Sequence, residues 1–468
     1  MRGDLTRTGA RSDPWLALGV LCLANFLILL DTTIVNTAAP VMMRALEAGI
    51  DEILWIFNGY LLTFAALLIV FGRLGDLVGP RTVFIAGLAG FTVASVLCGL
   101  STSPGMLIVF RILQGVGAAA LVPQALVLIS AIFPARRRGA AFGIFTAVAG
   151  LASVSGPTLG GLLVTEFGWQ SVFYLNLPIG LIAIVATLRL VPAPRTARSH
   201  RFDPVGVLLA TTGLTALVFG LIEGERHDWG TVAGPVSIPA IFAASVVLLV
   251  TFVLWERRRA EPLVPLTLFR DRNFGIATTI TLITSFALYG LLLVFVLETQ
   301  TLLGMSPVES GLSALPWTLA LSAVAPVAGR LTDRIGGKPL LVSGLALFAL
   351  GVLGVGLLPD SSSTAAVFVL PLIAVGVGQG LTLAPATTEA MRDITPGDSG
   401  AASGILNTAR QVGGALGAAV AGAILQNRAT GELGQHAFLS AARTALAVLA
   451  GVLVAGAALA TLMKPKRH

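Results

Sequence analysis

Charge is what this sequence has least of. Of its 468 residues, 11% are Asp, Glu, Lys or Arg and 55% are hydrophobic. A soluble domain carries about 25% charged residues, so this chain has too little polar surface to cover its own apolar side chains in water. That excludes a disordered chain and a soluble multidomain enzyme, and it makes the bilayer the solvent. Cysteine is nearly absent. Cys22 and Cys98 sit inside apolar runs, share no metal-ligand or redox spacing, and read as packing residues. The histidines, His200, His227, His436 and His468, lie in loops or at the tail without metal spacing, so no metal site is expected. No Walker loop is present, which leaves ATP without a direct role and no cofactor expected. Lysine is scarce too, 3 against 27 arginines, as in a GC-rich bacterial genome.

What remains is long apolar runs. A spanning helix takes about 20 apolar residues. Fourteen segments qualify: 15–38, 54–72, 83–100, 106–129, 141–164, 172–190, 205–221, 238–255, 274–297, 311–327, 340–358, 365–384, 402–425 and 441–462. The runs are continuous rather than alternating, which excludes a β-barrel. The first is too long for a cleavable signal peptide and holds Asp31. With both termini placed inside, 24 of the 30 Lys and Arg fall in the tails and inner loops. Arg44, Arg226, Arg428 and Arg443 lie outside, and Arg111 and Arg410 lie within spans. The net charge of +7 is then a topological signal, and a nucleic-acid partner is not expected.

One motif occurs twice. Gly72-Arg73-Leu74-Gly75-Asp76 follows span two and continues to Gly79 and Arg81. Gly329-Arg330-Leu331-Thr332-Asp333-Arg334 follows span ten and continues to Gly336 and Lys338. Both copies are expected in inner loops. The chain therefore reads as an all-α integral membrane protein of six helices, two extra helices and six more. Its divisions are a tail at 1–14, a bundle at 15–190, linkers with the extra pair at 191–273, a second bundle at 274–462 and a tail at 463–468. Internal duplication marks many alternating-access transporters. Basic, Pro-containing linkers at 191–204 and 256–273 are candidate hinges.

These residues, with several further motifs, resemble the fourteen-helix drug:proton antiporter family of the major facilitator superfamily over nearly the whole chain. Gly72 to Arg81 resembles the superfamily's loop-two motif, and Gly329 to Lys338 its second-half copy. Leu30-Asp31-Thr32-Thr33-Ile34-Val35-Asn36-Thr37-Ala38-Ala39-Pro40 is similar to the first-helix signature of the fourteen-helix group. Arg111-Ile112-Leu113-Gln114-Gly115-Val116-Gly117 resembles the fourth-helix motif, and Gly156-Pro157-Thr158-Leu159-Gly160-Gly161 the fifth-helix antiporter motif. Asn176-Leu177-Pro178-Ile179-Gly180 is also similar to this group. The resemblance implies a major facilitator fold, proton-coupled export of drugs by alternating access, and a proton-relay role for Arg111 and Gln114.

Read as chemistry, Asp31 is the sharpest residue, because an ionisable group inside a span is costly and usually functional. It lies sixteen residues past Trp15, about 24 Å from the inner surface of a core of about 30 Å. Arg111 lies five residues past Met106, about 8 Å from the outer side, hence at similar depth. A carboxyl group held between desolvation and a neighbouring cation is suited to exchanging protons; the alternative is a fixed structural ion pair. Gln114 is one turn from Arg111 and shares its face. Pro157 with Gly156, Gly160 and Gly161 makes a bendable, closely packed helix. Arg73, Asp76 and Arg81 are expected to latch an inner gate, with Gly72, Gly79, Gly329, Asp333 and Arg334 in the corresponding positions. Arg410, about 12 Å into span thirteen, needs a partner that the sequence does not name; Asn407 and Gln411 are near it. Glu298 ends span nine, either lining a vestibule or lying in an exposed loop, and with Asp31, Arg111, Gln114 and Arg410 it completes the candidate residues for proton coupling or substrate binding. Glu389 and Arg392 are expected at an interface, and Trp55, Tyr60 and Trp317 are candidates to line a lipophilic pocket or anchor at the interface.

Three function classes compete. A membrane enzyme or receptor fares worst, for want of a nucleophile–base pair, a metal cluster or a soluble domain. A uniporter or proton symporter for a natural solute shares the fold. The Gly-Pro motif and the fourteen spans favour a proton-driven exporter. Span ten holds no acid between 311 and 327 and span thirteen carries Arg410, so the expected substrate is a neutral or monocationic lipophilic compound, such as an antibiotic or dye, with an anionic one left open by Arg410. The expected partners are that small molecule, protons and lipid. A monomer in the cytoplasmic membrane of a bacterium is the expected state.

Overall fold

The computed structural model of the chain describes residues 13–193, 203–259, 261–358, 365–395, 397–429 and 435–465. Fourteen long helices account for most of them. The first six are α1 (Pro14–Ala45), α2 (Ile50–Val78), α3 (Pro80–Gly99), α4 (Pro104–Ile132), α5 (Ala135–Phe167) and α6 (Asn176–Leu190). Then come α7 (Pro204–Glu223) and α8 (Ile238–Glu256). The last six are α9 (Arg272–Leu297), α10 (Leu315–Ile335), α11 (Lys338–Leu357), α12 (Val369–Ala390), α13 (Ser399–Ala429) and α14 (Gln435–Ala460). A two-stranded hairpin, Thr231–Ala233 with Val236–Ser237, joins α7 to α8.

The helix starts follow from short polar signals. Asp13, Ser103, Asp203 and Ser237 each accept a backbone N–H of the first turn, and each is followed within two residues by Pro. The side-chain oxygen satisfies a donor that the helix cannot, and Pro has no N–H to satisfy. Much of the chain's proline therefore starts helices rather than breaking them.

Eleven helices among the described residues are long and apolar enough to cross a membrane. The other three expected spans, α5, α10 and α13, are continuous helices of 33, 21 and 31 residues. They are poorer in apolar residues because they carry Gly, Ser and charged groups. They are also the helices along which the two halves meet. Helices α1 to α6 pack among themselves, and so do α9 to α14; α5 against α10 and α2 against α13 join the two groups. Helix α7 lies on α2 and touches α13, while α8 leans mainly on α7. Only 17% of the α8 window is buried against protein, against 78% for α4, so α8 is chiefly a lipid-facing helix.

Several boundaries differ from the sequence expectation, and three of the differences bear on the site. The sixth span is broken: a short helix, Ser171–Tyr174, precedes α6, and Pro178 lies in the first turn of the new helix. The tenth starts later, after a short helix Pro307–Ser313, and runs on to Ile335. The Gly-Arg-Leu motifs are consequently not loops. Gly72 to Asp76 is the last part of α2, and Gly329 to Arg334 the last part of α10. The turns shrink to Gly79 (φ 104) and Gly336 (φ 82), left-handed backbone that side chains rarely adopt.

Candidate functional site

Asp31 is wholly buried in α1, and two helices supply its three donors. Arg111 of α4 donates from Nη1 to Oδ2 at 2.6 Å, Gln114 of α4 from Nε2 to Oδ1 at 2.9 Å, and Asn176 of α6 from Nδ2 to Oδ1 at 2.8 Å. Arg111 is also satisfied. Its Nη1 reaches Gln114 Oε1 at 2.6 Å, its Nε reaches the Ile56 carbonyl at 3.2 Å, and its guanidinium lies 4.3 Å from the centre of the Tyr60 ring. Asn176 donates again to Ser95 Oγ at 2.8 Å, and Ser95 to the Phe173 carbonyl at 2.9 Å. Cys98 sits beside this network, its thiol 3.7 Å from Gln114 Oε1. The neighbouring Thr32 and Thr33 donate to carbonyls of their own helix, so the polar run of α1 presents Asp31 alone to its neighbours.

Asp31, Arg111 and Gln114, which helical rise and spacing place at similar depth, are in contact in the structure. Depth alone does not point to Asn176 and Ser95. The break at Leu175 sets Asn176 at the start of α6, and a neutral amide in an apolar run gives no sequence signal of its aim. The cluster is electrically balanced, one carboxylate against one guanidinium. Two polar atoms in it stay unpartnered among the described residues, Tyr60 Oη and Asn176 Oδ1.

The two Gly-Arg-Leu motifs build a second constellation. Asp76, at the end of α2, accepts from the backbone N–H of Gly400 at 2.8 Å and of Ala401 at 3.1 Å, in the first turn of α13. Asp333, at the end of α10, accepts from Gly139 and Ala140 N–H, both at 2.9 Å, near the start of α5. Each carboxylate meets a helix of the opposite half near its N-terminus, where the helix dipole favours negative charge: Asp76 caps the first turn of α13, and Asp333 binds the fifth and sixth residues of α5. Close backbone approach permits it: a Cβ on Gly72 would strike the Gly400 carbonyl, and one on Gly139 the Gly329 carbonyl. Arg73 lies 3.7 Å from Asp76 and donates to the Gly397 carbonyl at 3.4 Å. Arg81 departs from the expected latch: it donates to the Thr187 and Leu188 carbonyls at the end of α6, in its own half. Arg334 is exposed. Gly139 and Gly400 were not singled out from sequence, because neither belongs to a repeated motif.

The antiporter-type motif packs on α1. Gly156 lies against Thr33, and Gly160 against Ile34 and Thr37, within two turns of Asp31; a Cβ at Gly161 would meet nothing. The helix is unbroken through Pro157. Arg410 donates to Asn407 Oδ1 at 3.3 Å and pairs with no carboxylate among the described residues. Glu298 opens a π-helical turn, Glu298–Leu302, and is 1% exposed with no donor to either oxygen among the described residues, so it is not an exposed loop carboxylate. Glu389 accepts from Gly337 N–H at 2.6 Å and pairs with Arg392, which makes it a cap for α11. Trp317 donates to Gln379 at 2.8 Å, and Trp55 packs on Phe219 of α7. His227 meets the Glu223 carbonyl at 3.0 Å; His200 and His468 lie outside the described residues, as does the His436 side chain.

Long apolar helices in two halves, cross-capped at one end and holding a buried carboxylate–guanidinium pair, define a multi-pass membrane transporter. Its family follows from comparison with known proteins. Residues 21–418 match the Major Facilitator Superfamily, and the chain belongs to it. It is similar to the tetracenomycin C resistance and export protein of Streptomyces glaucescens, 37% identical over 90% of this chain and 78% of the relative. It is likewise similar to the puromycin resistance protein pur8 of Streptomyces alboniger, 35% identical over 97% and 92%. Among solved structures, the human organic anion transporter MFSD10 superposes with a TM-score of 0.68 at 14% identity, covering 96% of this chain and 99% of that one.

Proposed function

We propose that this transporter exports lipophilic compounds from a bacterial cytoplasm in exchange for protons, by alternating access between its two halves. The observation that carries the reading is Asp31: a carboxylate buried in a span, reached by donors from α4 and α6 and by no solvent. A group so placed can change protonation only when a conformational change opens it, which is what coupling requires. Protonating Asp31 removes the charge that holds Arg111. Arg111 then turns to other acceptors, and α1 is free to move against α4. Helix α1 in turn bears on Gly156 and Gly160 of α5, and α5 carries the cradle for Asp333. A proton at Asp31 thus has a mechanical route to the gate. The Arg-rich end of the molecule is read as cytoplasmic, so all fourteen helices span and the closed latches describe an inwardly shut state. The relatives named for antibiotic resistance and export support the direction. The pathway lies between halves of one chain, and a monomer suffices.

The test uses everted vesicles under an imposed proton gradient, a dye for internal pH and a panel of drugs. Drug addition is expected to release protons from wild-type vesicles and not from Asp31→Asn vesicles. Drug flux without proton movement would instead make the protein a uniporter.

A further inference from the structure

We infer that Arg410 is an anion-binding subsite of the transport pathway and that the preferred substrates are lipophilic acids. This rests on the reading of the chain as an exporter whose pathway runs between the halves. Arg410 stands on α13, on the same face as Gly413, Gly414 and Gly417, which pack on Leu282, Tyr289 and Phe286 of α9. Its guanidinium has five N–H donors. One makes a 3.3 Å hydrogen bond to Asn407, and the Nε–H is buried with no acceptor among the described residues. Charge balance elsewhere sharpens this. The other intramembrane guanidinium, Arg111, is neutralised by Asp31, and both gate carboxylates are occupied by backbone amides.

Arg410 is partly accessible, and its neighbour Tyr289 is 43% exposed. Tyr289 packs on Gly414, one turn past Arg410 on the same face of α13. A planar guanidinium with unused donors, beside an exposed phenol ring and glycine-flattened walls, suits an aromatic carboxylate or ionised phenol: the fork pairs with the acid and the ring stacks. A cation is repelled there. The structure so moves the expected substrate from a neutral or monocationic compound to an acid.

The experiment uses the full-length protein in nanodiscs and three probes with one apolar body: pyrenebutyric acid, its primary amide and a pyrenyl trimethylammonium ion. Binding is read by energy transfer from tryptophan, with empty nanodiscs subtracted. The acid is expected to bind about tenfold tighter than the amide. Arg410→Gln is expected to bring the acid to the level of the amide and leave the amide unchanged. Arg410→Lys keeps the charge but loses the fork, and lowers the acid-to-amide ratio without erasing it; it also serves if Arg410→Gln does not fold. Equal binding of acid and amide by the wild type, tightest binding of the cation, or an acid preference that survives Arg410→Gln each overturns the inference. Binding needs no proton gradient, so failed proton exchange in vesicles would count against the coupling and leave this result standing.

Discussion

At the scale of residues, two buried carboxyl groups have opposite surroundings. Asp31 is met by a guanidinium and two amides, whereas Glu298 is met by no hydrogen-bond donor among the described residues and has only the field of Arg443 acting on it. A buried polar group without a hydrogen bond costs about 1–3 kcal/mol. Replacing Glu298 by Leu, which has no polar group to leave unsatisfied, is therefore expected to raise the thermal midpoint of the purified protein by a few degrees. Asn176→Ala should do the reverse, because it strips a donor from both Asp31 and Ser95 and leaves a void at the start of α6. Its expected cost is about 1–3 kcal/mol, seen as a lower midpoint and slower transport. Asp31 and Arg111 were legible in the sequence because charge inside an apolar run is conspicuous and helical rise gives depth. Asn176 and Ser95 were not, since neutral polar residues are common in spans and their aim depends on a helix break that hydropathy alone does not show.

At the scale of elements, the gate rests on helix ends capped across the two halves. The repeated motif told where the carboxylates are. It did not tell what they cap, because pairing between residues 76 and 400, or 139 and 333, is set by packing rather than by local pattern. Asp76→Asn keeps the shape and loses the charge, and charge-assisted hydrogen bonds contribute about 1.5–3 kcal/mol each. The closed population is expected to fall by about tenfold or more, which spin-label distances between the ends of α2 and α13 can read. Gly400→Val should have a larger effect, since its side chain meets the Gly72 carbonyl and the Asp76 carboxylate. Unchanged distances in both variants would remove the latch from the mechanism.

At the scale of the whole molecule, the order of helices followed from composition, but the division of labour among them did not. Helices α5, α10 and α13, the least apolar, join the halves, while α8 faces lipid. The extra pair is fastened to α2 at one end by the Arg226–Asp51 ion pair, whose side chains are 33% and 62% exposed. An exposed pair contributes about 0–1 kcal/mol. Arg226 also lies 3.4 Å from Glu223, whose side chain is 4% exposed, so Asp51→Asn, which removes only the exposed partner, is the variant expected to leave the thermal midpoint and the transport rate within error, with the Trp55–Phe219 contact still holding α7 on α2. Because the cross-caps at Asp76 and Asp333 join the halves along two different helix pairs, α2 with α13 and α10 with α5, the door they shut has two bolts. It swings only in the rare instants when both are drawn, so its waiting time is set by a coincidence. Whatever loosens either bolt, a proton or a passenger, quickens the whole cycle.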